Sequence, residues 1–213
     1  MRNLLPEELH PASEMLAGYP RLLSMMSGIG PGFDGAFFVG YHARAGTRDG
    51  SMAHTYADPR SVGEIRVNGR PQTEGSLNAA LCGCFDCPLV FFSGDSAAVA
   101  QMHEYVPEVE GVVVKEGAGT LAGRSLQPGV ARDRIRTGAR RAIERGDSIP
   151  PLRLEGPFEL EVDFVQPFGA DAGELIPGVR RKGPRTVSWA GDDYCELYKL
   201  MLALILLADV WAL

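Results

Sequence analysis

Two histidines and one glutamate carry the chemistry that is visible in the first half of the chain. His42 and His54 lie in GAFFVGYHARAGTRDGSMAHTY, and Glu74 follows in GRPQTEGSLNA. Imidazole nitrogens and carboxylate oxygens are the usual oxygen and nitrogen ligands of zinc, and an imidazole also moves protons near neutral pH. Set in glycine-rich turns beside hydrophobic strands, the three have the sequence pattern of a metal-hydrolase site. His42 directly follows an apolar strand, at its C-terminal end, where open α/β sheets place their ligands. His54 has small neighbours in SMAHTY that leave room for a substrate, so its imidazole can shuttle a proton or stabilise developing negative charge. Taken one at a time, each histidine reads equally well as a hydrogen-bonded structural residue. Glu74 lies between a turn at Asn68-Gly69 and a helix beginning near Ser76; by itself its carboxylate is a favourable charge at a helix N-terminus. His10, in a polar leader, and His103, on a helix face, read as structural or exposed.

The elements that must position these residues alternate between strand and helix. Phe33 to Tyr41 and Pro88 to Ser93 are short apolar runs ending at glycine, as buried strands are. Ser76 to Gly83 reads as a short helix between them, SAAVAQMHEYV as a second helix, Gly111 to Lys115 as a third strand and Pro128 to Arg145 as a long helix. This order predicts an α/β fold, a mostly parallel sheet flanked by helices. Phe158 to Val165 alternates instead: Leu160, Val162 and Phe164 share one face, Glu159, Glu161 and Asp163 the other. Three acids in line invite a metal, but a solvated sheet face is the simpler reading. In ARDRIRTGARRAIERGD the arginines 132, 134, 136, 140, 141 and 145 read as the solvated side of the long helix, with Ile135, Ala139, Ala142 and Ile143 turned inward.

Composition limits the functions available. A chain of 213 residues with 45% hydrophobic and 23% charged content can bury its own core. A net charge of −6 argues against a nucleic-acid surface, which needs surplus lysine and arginine. No secretory leader is visible at MRNLLPEELH, and the most apolar stretch, Leu200 to Ala208, falls short of the ~18 residues of a membrane span. It reads as a buried C-terminal helix, and the whole as soluble and cytoplasmic. Cys82, Cys84 and Cys87 in CGCFDC lack a fourth ligand at matching spacing, with Cys195 distant in sequence; they read as reduced, partly buried thiols.

The blocks GAFFVGYHARAGTRDGSMAHTY, NGRPQTEGSLNAA and LIPGVRRKGPRTVSWAGDD resemble, in order, those of the prokaryotic D-aminopeptidase family of zinc peptidases, and the similarity runs over essentially the whole chain. The resemblance implies zinc ligation by His42 and Glu74 and a catalytic role for His54. It further implies removal of an N-terminal D-amino acid such as D-alanine from short peptides, by subunits assembled into a ring-shaped homo-oligomer.

The chain also departs from the pattern. The family carries an Asp-x-Glu-Gly strand and an Asn-Asp-x-His element that complete a two-zinc site, and neither is present here; Met1 to Leu5 resembles the segment just after that histidine. Thr120 stands where relatives tend to carry arginine. The expectation is a single, N-terminally truncated α/β metallopeptidase domain over residues 1–213, with the site in 1–125 and a helix and strand part in 126–213. It would lack the first strands of the family, hold at most one zinc weakly, and be feeble as an enzyme, since a catalytic zinc needs about three protein ligands. A non-catalytic subunit or peptide-binding remnant of the same fold is the alternative.

Overall fold

A computed structural model describes residues 4–56 and 60–210. Met1 to Asn3, at the start of the family-like MRNLL, and the last three residues of the apolar C-terminus lie outside the described residues.

The strands are β1 (Ala36–Tyr41), β2 (Val62–Val67), β3 (Arg70–Pro71), β4 (Leu89–Asp95), β5 (Glu110–Gly117), β6 (Gly123–Ser125), β7 (Phe158–Phe164), β8 (Arg180–Arg181) and β9 (Thr186–Gly191). The helices are α1 (Glu74–Gly83), α2 (Ser96–His103), α3 (Pro128–Arg145), α4 (Pro167–Gly173) and α5 (Tyr194–Val210). One sheet runs β1-β4-β5-β6, with β1, β4 and β5 parallel and β6 antiparallel. β4 is buried along its whole length, as befits a central parallel strand covered on both faces. The α/β architecture with a helix-flanked parallel sheet is therefore as the sequence predicts.

A second sheet, β3-β2-β7-β9-β8, is antiparallel throughout. Sequence alternation marked only β7 of its strands. Its companions are short or interrupted by glycine and arginine, so their pattern is weak until they are paired. On β7 the acids face outward and are neutralised rather than merely solvated. Arg66 of β2 reaches Glu161 and Asp163 at 2.8 and 2.7 Å, and Lys182 reaches Glu159 at 3.0 Å and also binds Glu161.

Two cores result. Ile65, Leu160, Val162, Phe164, Leu197, Met201 and Leu204 build one between the antiparallel sheet and α5. Leu89, Phe91, Phe92, Met102 and Ala142 build the other around the parallel sheet. α1 stands between them, giving Leu77, Ala80 and Leu81 to the first and Ala79 and Cys82 to the second. Every residue of α1 is buried; a helix buried on all sides loses the one-sided pattern by which sequence finds helices.

Smaller differences have local causes. β1 starts at Ala36, not Phe33, which is exposed on a turn containing the positive-φ Gly32. α3 has its expected limits, and Ala142 is buried with Ile135 and Ala139 packed against the core, but Ile143 is 71% exposed. The inward stripe passes through Gly138, whose missing side chain lets the helix close on Phe91 and Val112, and Ile143 lies about 100° around the helix from Ala142. The apolar C-terminal stretch forms α5, and no helix among the described residues is long and apolar enough to cross a membrane.

Candidate metal centre

The site lies at the C-terminal end of β1, beside the N-terminus of α1. Tyr41 pairs with Gly94 of β4, and a side chain on Gly94 would run into the Tyr41 carbonyl oxygen. Glycine at 94 thus lets the two strand ends close together and delivers His42 at the sheet's edge. The following loop folds back so that the His54 N–H donates to the Ala43 carbonyl at 3.2 Å. It is pinned by α2, where Gln101 accepts from the Arg44 N–H at 3.0 Å and donates to Thr47 Oγ1 at 2.9 Å.

Glu74 arrives from the other side. Asn68 and Gly69, at φ 50° and 74°, form the two-residue turn of the β2–β3 hairpin, the geometry an Asn-Gly pair favours. The chain then enters α1 through a reciprocal cap: the Ser76 N–H donates to Thr73 Oγ1 and the Thr73 N–H to Ser76 Oγ, each at 2.9 Å. Glu74 falls in the first turn, so its carboxylate sits at the positive end of the helix dipole. The Tyr56 N–H donates to Glu74 Oε1 at 2.6 Å.

These segments bring all three sequence-predicted residues together. His42 Nε2 is 3.5 Å from Glu74 Oε2, and His54 Nε2 is 3.6 Å from Glu74 Oε1. The imidazoles are stacked with centroids 3.8 Å apart, and one donor atom from each residue lies within 4.8 Å of the others. Each histidine turns its Nδ1 to a backbone carbonyl, His42 to Ala43 at 3.3 Å and His54 to Met52 at 2.7 Å. A carbonyl only accepts, so Nδ1 carries the proton and Nε2 is the nitrogen offered to Glu74. In the neutral rings two nitrogen lone pairs then converge on carboxylate oxygens, an arrangement that calls for a cation between them. A proton or a metal ion meets that need. Burial works to lower the His42 pKa, but the facing Glu74 carboxylate outweighs it and the net displacement is upward.

Two neighbours escaped sequence reasoning. Asp95 is buried; its Oδ1 caps α2 by accepting from the Ala97 and Ala98 N–H groups at 3.0 Å, while its Oδ2 has no partner among the described residues. The GD pair ending a buried strand was its only signal. Asn78, one helical turn beyond Glu74, is fully buried in a cluster with Tyr41, Tyr56 and Tyr198. Those tyrosines come from three distant segments, so nothing local announces them. His10 and His103 stay away from the centre: the His10 ring binds the Ala12 N–H and the His103 ring meets the Val109 carbonyl. The cysteines are free thiols. Burial pushes Cys82 up to about 12 and Cys84 up to about 11, the latter helped by Cys195 beside it, so the fold brings Cys195 close after all. They form no metal cluster among the described residues.

An α/β chain that presents two imidazoles and a carboxylate at the C-terminal end of a parallel strand falls in the class of metal-centred hydrolase folds. The chain belongs to the D-aminopeptidase family, whose model matches residues 1–203. The D-aminopeptidase of Bacillus subtilis (strain 168) is 33% identical over 209 residues, 98% of this chain and 75% of that protein. A solved structure, described as the Zn-dependent D-aminopeptidase DppA from Bacillus subtilis, a self-compartmentalizing protease, superposes with a TM-score of 0.92 at 32% identity. That match covers 98% of this chain and 75% of the other.

Proposed function

We propose that the chain is a zinc-dependent aminopeptidase of weak activity, holding at most one zinc, on short peptides that begin with a D-amino acid such as D-alanine, with His42 and Glu74 as zinc ligands and His54 as the catalytic group. The observation that carries this reading is the convergence of His42 Nε2 and His54 Nε2 on the two oxygens of Glu74. Zinc fits this donor set, and the Nδ1 contacts to Ala43 and Met52 hold each ring in the tautomer a metal requires. Bound zinc supplies Lewis acidity that polarises a scissile carbonyl and activates water at neutral pH.

The remaining work falls to the chain. Glu74 fixes the spacing of the two imidazoles through its bidentate position and is itself held by the Tyr56 N–H. His54 is the more exposed of the two histidines, with a side chain 25% accessible against 18% for His42, and so the more open to an approaching substrate. Its Nε2 is placed to take a proton from the attacking group and return it to the leaving amine. The stereochemical preference for a D-residue is carried over from the relatives, with the pocket walls around the substrate's α-carbon as its physical source.

A second reading is supported by the three-donor cluster itself: His54 as a third ligand of one zinc. One experiment separates the two. Zinc content by elemental analysis and hydrolysis of D-Ala-p-nitroanilide are measured for wild type, His42→Ala, His54→Ala and Glu74→Gln. Catalytic His54 predicts that His54→Ala keeps its zinc and loses turnover by at least a hundredfold; a ligand His54 predicts loss of both. Because His42 and Glu74 give a zinc two protein ligands where about three are usual, weak zinc binding and slow turnover are expected of the wild type. No zinc even at saturating metal and no detectable turnover would refute the enzyme reading and favour a non-catalytic, peptide-binding role.

Assembly into a closed homo-oligomeric ring is part of the proposal. It draws on the relative described as self-compartmentalizing and on exposed apolar side chains, Leu16, Tyr19 and Leu22 near the N-terminus and Leu206 on α5, of the kind that mark contact surfaces. A cytoplasmic setting is supported by the four free thiols.

A further inference from the structure

Asn78 touches none of the three converging donors, yet residues flanking His42 and His54 meet on its amide, and it shares α1 with Glu74. Its Nδ2 donates to Tyr41 Oη at 2.9 Å, and Tyr41 is the residue before His42. Its Oδ1 accepts from the Tyr56 hydroxyl, two residues beyond His54. It also accepts from the Tyr198 hydroxyl of α5 at 2.6 Å, and the Tyr56 and Tyr198 hydroxyls touch each other. Asn78 lies four residues after Glu74 on α1, so both polar groups project from the same side of the helix. We propose that Asn78 is the positioning residue of the metal centre, its single amide fixing where His42, His54 and Glu74 converge. The proposal rests on the zinc reading of that centre.

The geometry accounts for why an amide is needed. Among the described residues, β1, the loop through His54 and α1 share few other side-chain bonds near the site, and Tyr56 reaches Glu74 through its backbone N–H. Tyr56 adopts φ +62° to make that contact, a conformation costly for a bulky residue and sustained by what surrounds it. The hydroxyl of Tyr56 is therefore an anchor that keeps its N–H aimed at Glu74. Asn78 has both a donor and an acceptor end, so it can bind Tyr41 on one side and Tyr56 with Tyr198 on the other. The Tyr56 and Tyr198 hydroxyls donate to its Oδ1, while the Tyr41 hydroxyl accepts from its Nδ2. Aspartate could not donate to Tyr41, and leucine could bind neither side. Groups that orient metal ligands from behind typically change metal affinity ~10–100-fold when removed.

The test is zinc affinity measured by competition with a chromophoric chelator on the full chain, below the melting transition of each variant. Asn78→Ala is expected to bind zinc at least tenfold more weakly than wild type while near-ultraviolet circular dichroism shows it folded. Val162→Ala, a cavity in β7, a strand that carries none of the site's residues, controls for general loss of stability and is expected within twofold of wild type. Should Asn78→Ala fail to fold, Tyr198→Phe decides: it keeps the amide and removes one anchor, with an expected loss of about threefold or more. A folded Asn78→Ala or Tyr198→Phe with wild-type affinity overturns the positioning role and leaves the zinc reading standing. Equal weakening in Val162→Ala also overturns it, because the effect would then be one of stability. A wild type that binds no zinc refutes the metal centre and the role of Asn78 with it.

Discussion

Replacing Glu74 by glutamine removes one charge from the centre and little else, because the amide oxygen can still accept from the Tyr56 N–H. With His42 Nε2 at 3.5 Å from Glu74 Oε2, a unit charge pair at an effective dielectric of ~20 interacts by about 5 kcal/mol. At about 1.4 kcal/mol per pKa unit this is a ceiling of roughly three and a half units of upward pull on His42. Burial opposes that pull and is the first influence on this imidazole. In Glu74→Gln desolvation is left largely unopposed, and the His42 pKa is expected to fall below the ordinary imidazole value of ~6.5. The assay is an NMR titration of the imidazole C2–H resonances in metal-free protein, with His42 assigned by its absence in His42→Asn. The sign of the stability change follows. A raised folded pKa contributes stability that is complete below the unfolded value and lost as pH rises through the folded one. The stability gap between metal-free wild type and Glu74→Gln is therefore widest below pH ~6.5 and closes as pH rises through the folded pKa of His42. A His42 that titrates in Glu74→Gln at or above its wild-type value would refute the electrostatic account of the site.

Three further expectations follow from the surrounding structure. Gly94→Ala places a methyl against the Tyr41 carbonyl oxygen; it should cost about 1–3 kcal/mol in denaturant unfolding and weaken zinc binding by displacing His42, and unchanged values for both would show that the strand ends are not tightly apposed. Asp95→Ala should lose about 1 kcal/mol with the α2 cap, whereas Asp95→Asn keeps a capping oxygen and stays close to wild type; equal losses in thermal melts would show that the cap is not what Asp95 supplies. Glu161 is held below the usual carboxylate range by Lys182, against burial, with Arg66 adding to the effect. Its stabilisation is present above the unfolded carboxylate pKa of ~4.3 and fades as pH falls through the lower folded value. Glu161→Gln should thus cost about 1 kcal/mol at neutral pH and nothing at pH ~2, and a penalty that persists in acid would point to packing instead.

Much of this molecule was legible because its signals are local. The apolar runs around Phe38 and Phe91 have the length of buried strands, and α3 has the limits its proline, periodicity and basic end announce. The Asn-Gly turn and the helix start already place Glu74 near a helix N-terminus in the sequence. The antiparallel sheet was less legible because β3 and β8 are only two residues long and β2 and β9 gain their meaning only from pairing with β7. α1 carries no one-sided stripe, because both of its sides face a core. Ile143 was misplaced because a glycine, not an apolar residue, makes the closest contact of α3 with the sheet.

By itself the sequence determined the residue types of the centre, the strand that ends at His42 and the family to which these blocks belong. The strand and the helix start are legible because strand length, turn chemistry and capping are written in neighbouring residues; the family rests on the resemblance of whole blocks. Only the tertiary structure decided that His42 and His54 stack against each other and face opposite oxygens of Glu74. The amide that ties their neighbours together was likewise invisible until Tyr41, Tyr56 and Tyr198 came within reach of Asn78. Distances of 2.6 to 3.6 Å between residues up to 120 positions apart are set by the packing of α1 between two cores, and no local pattern in the chain encodes them.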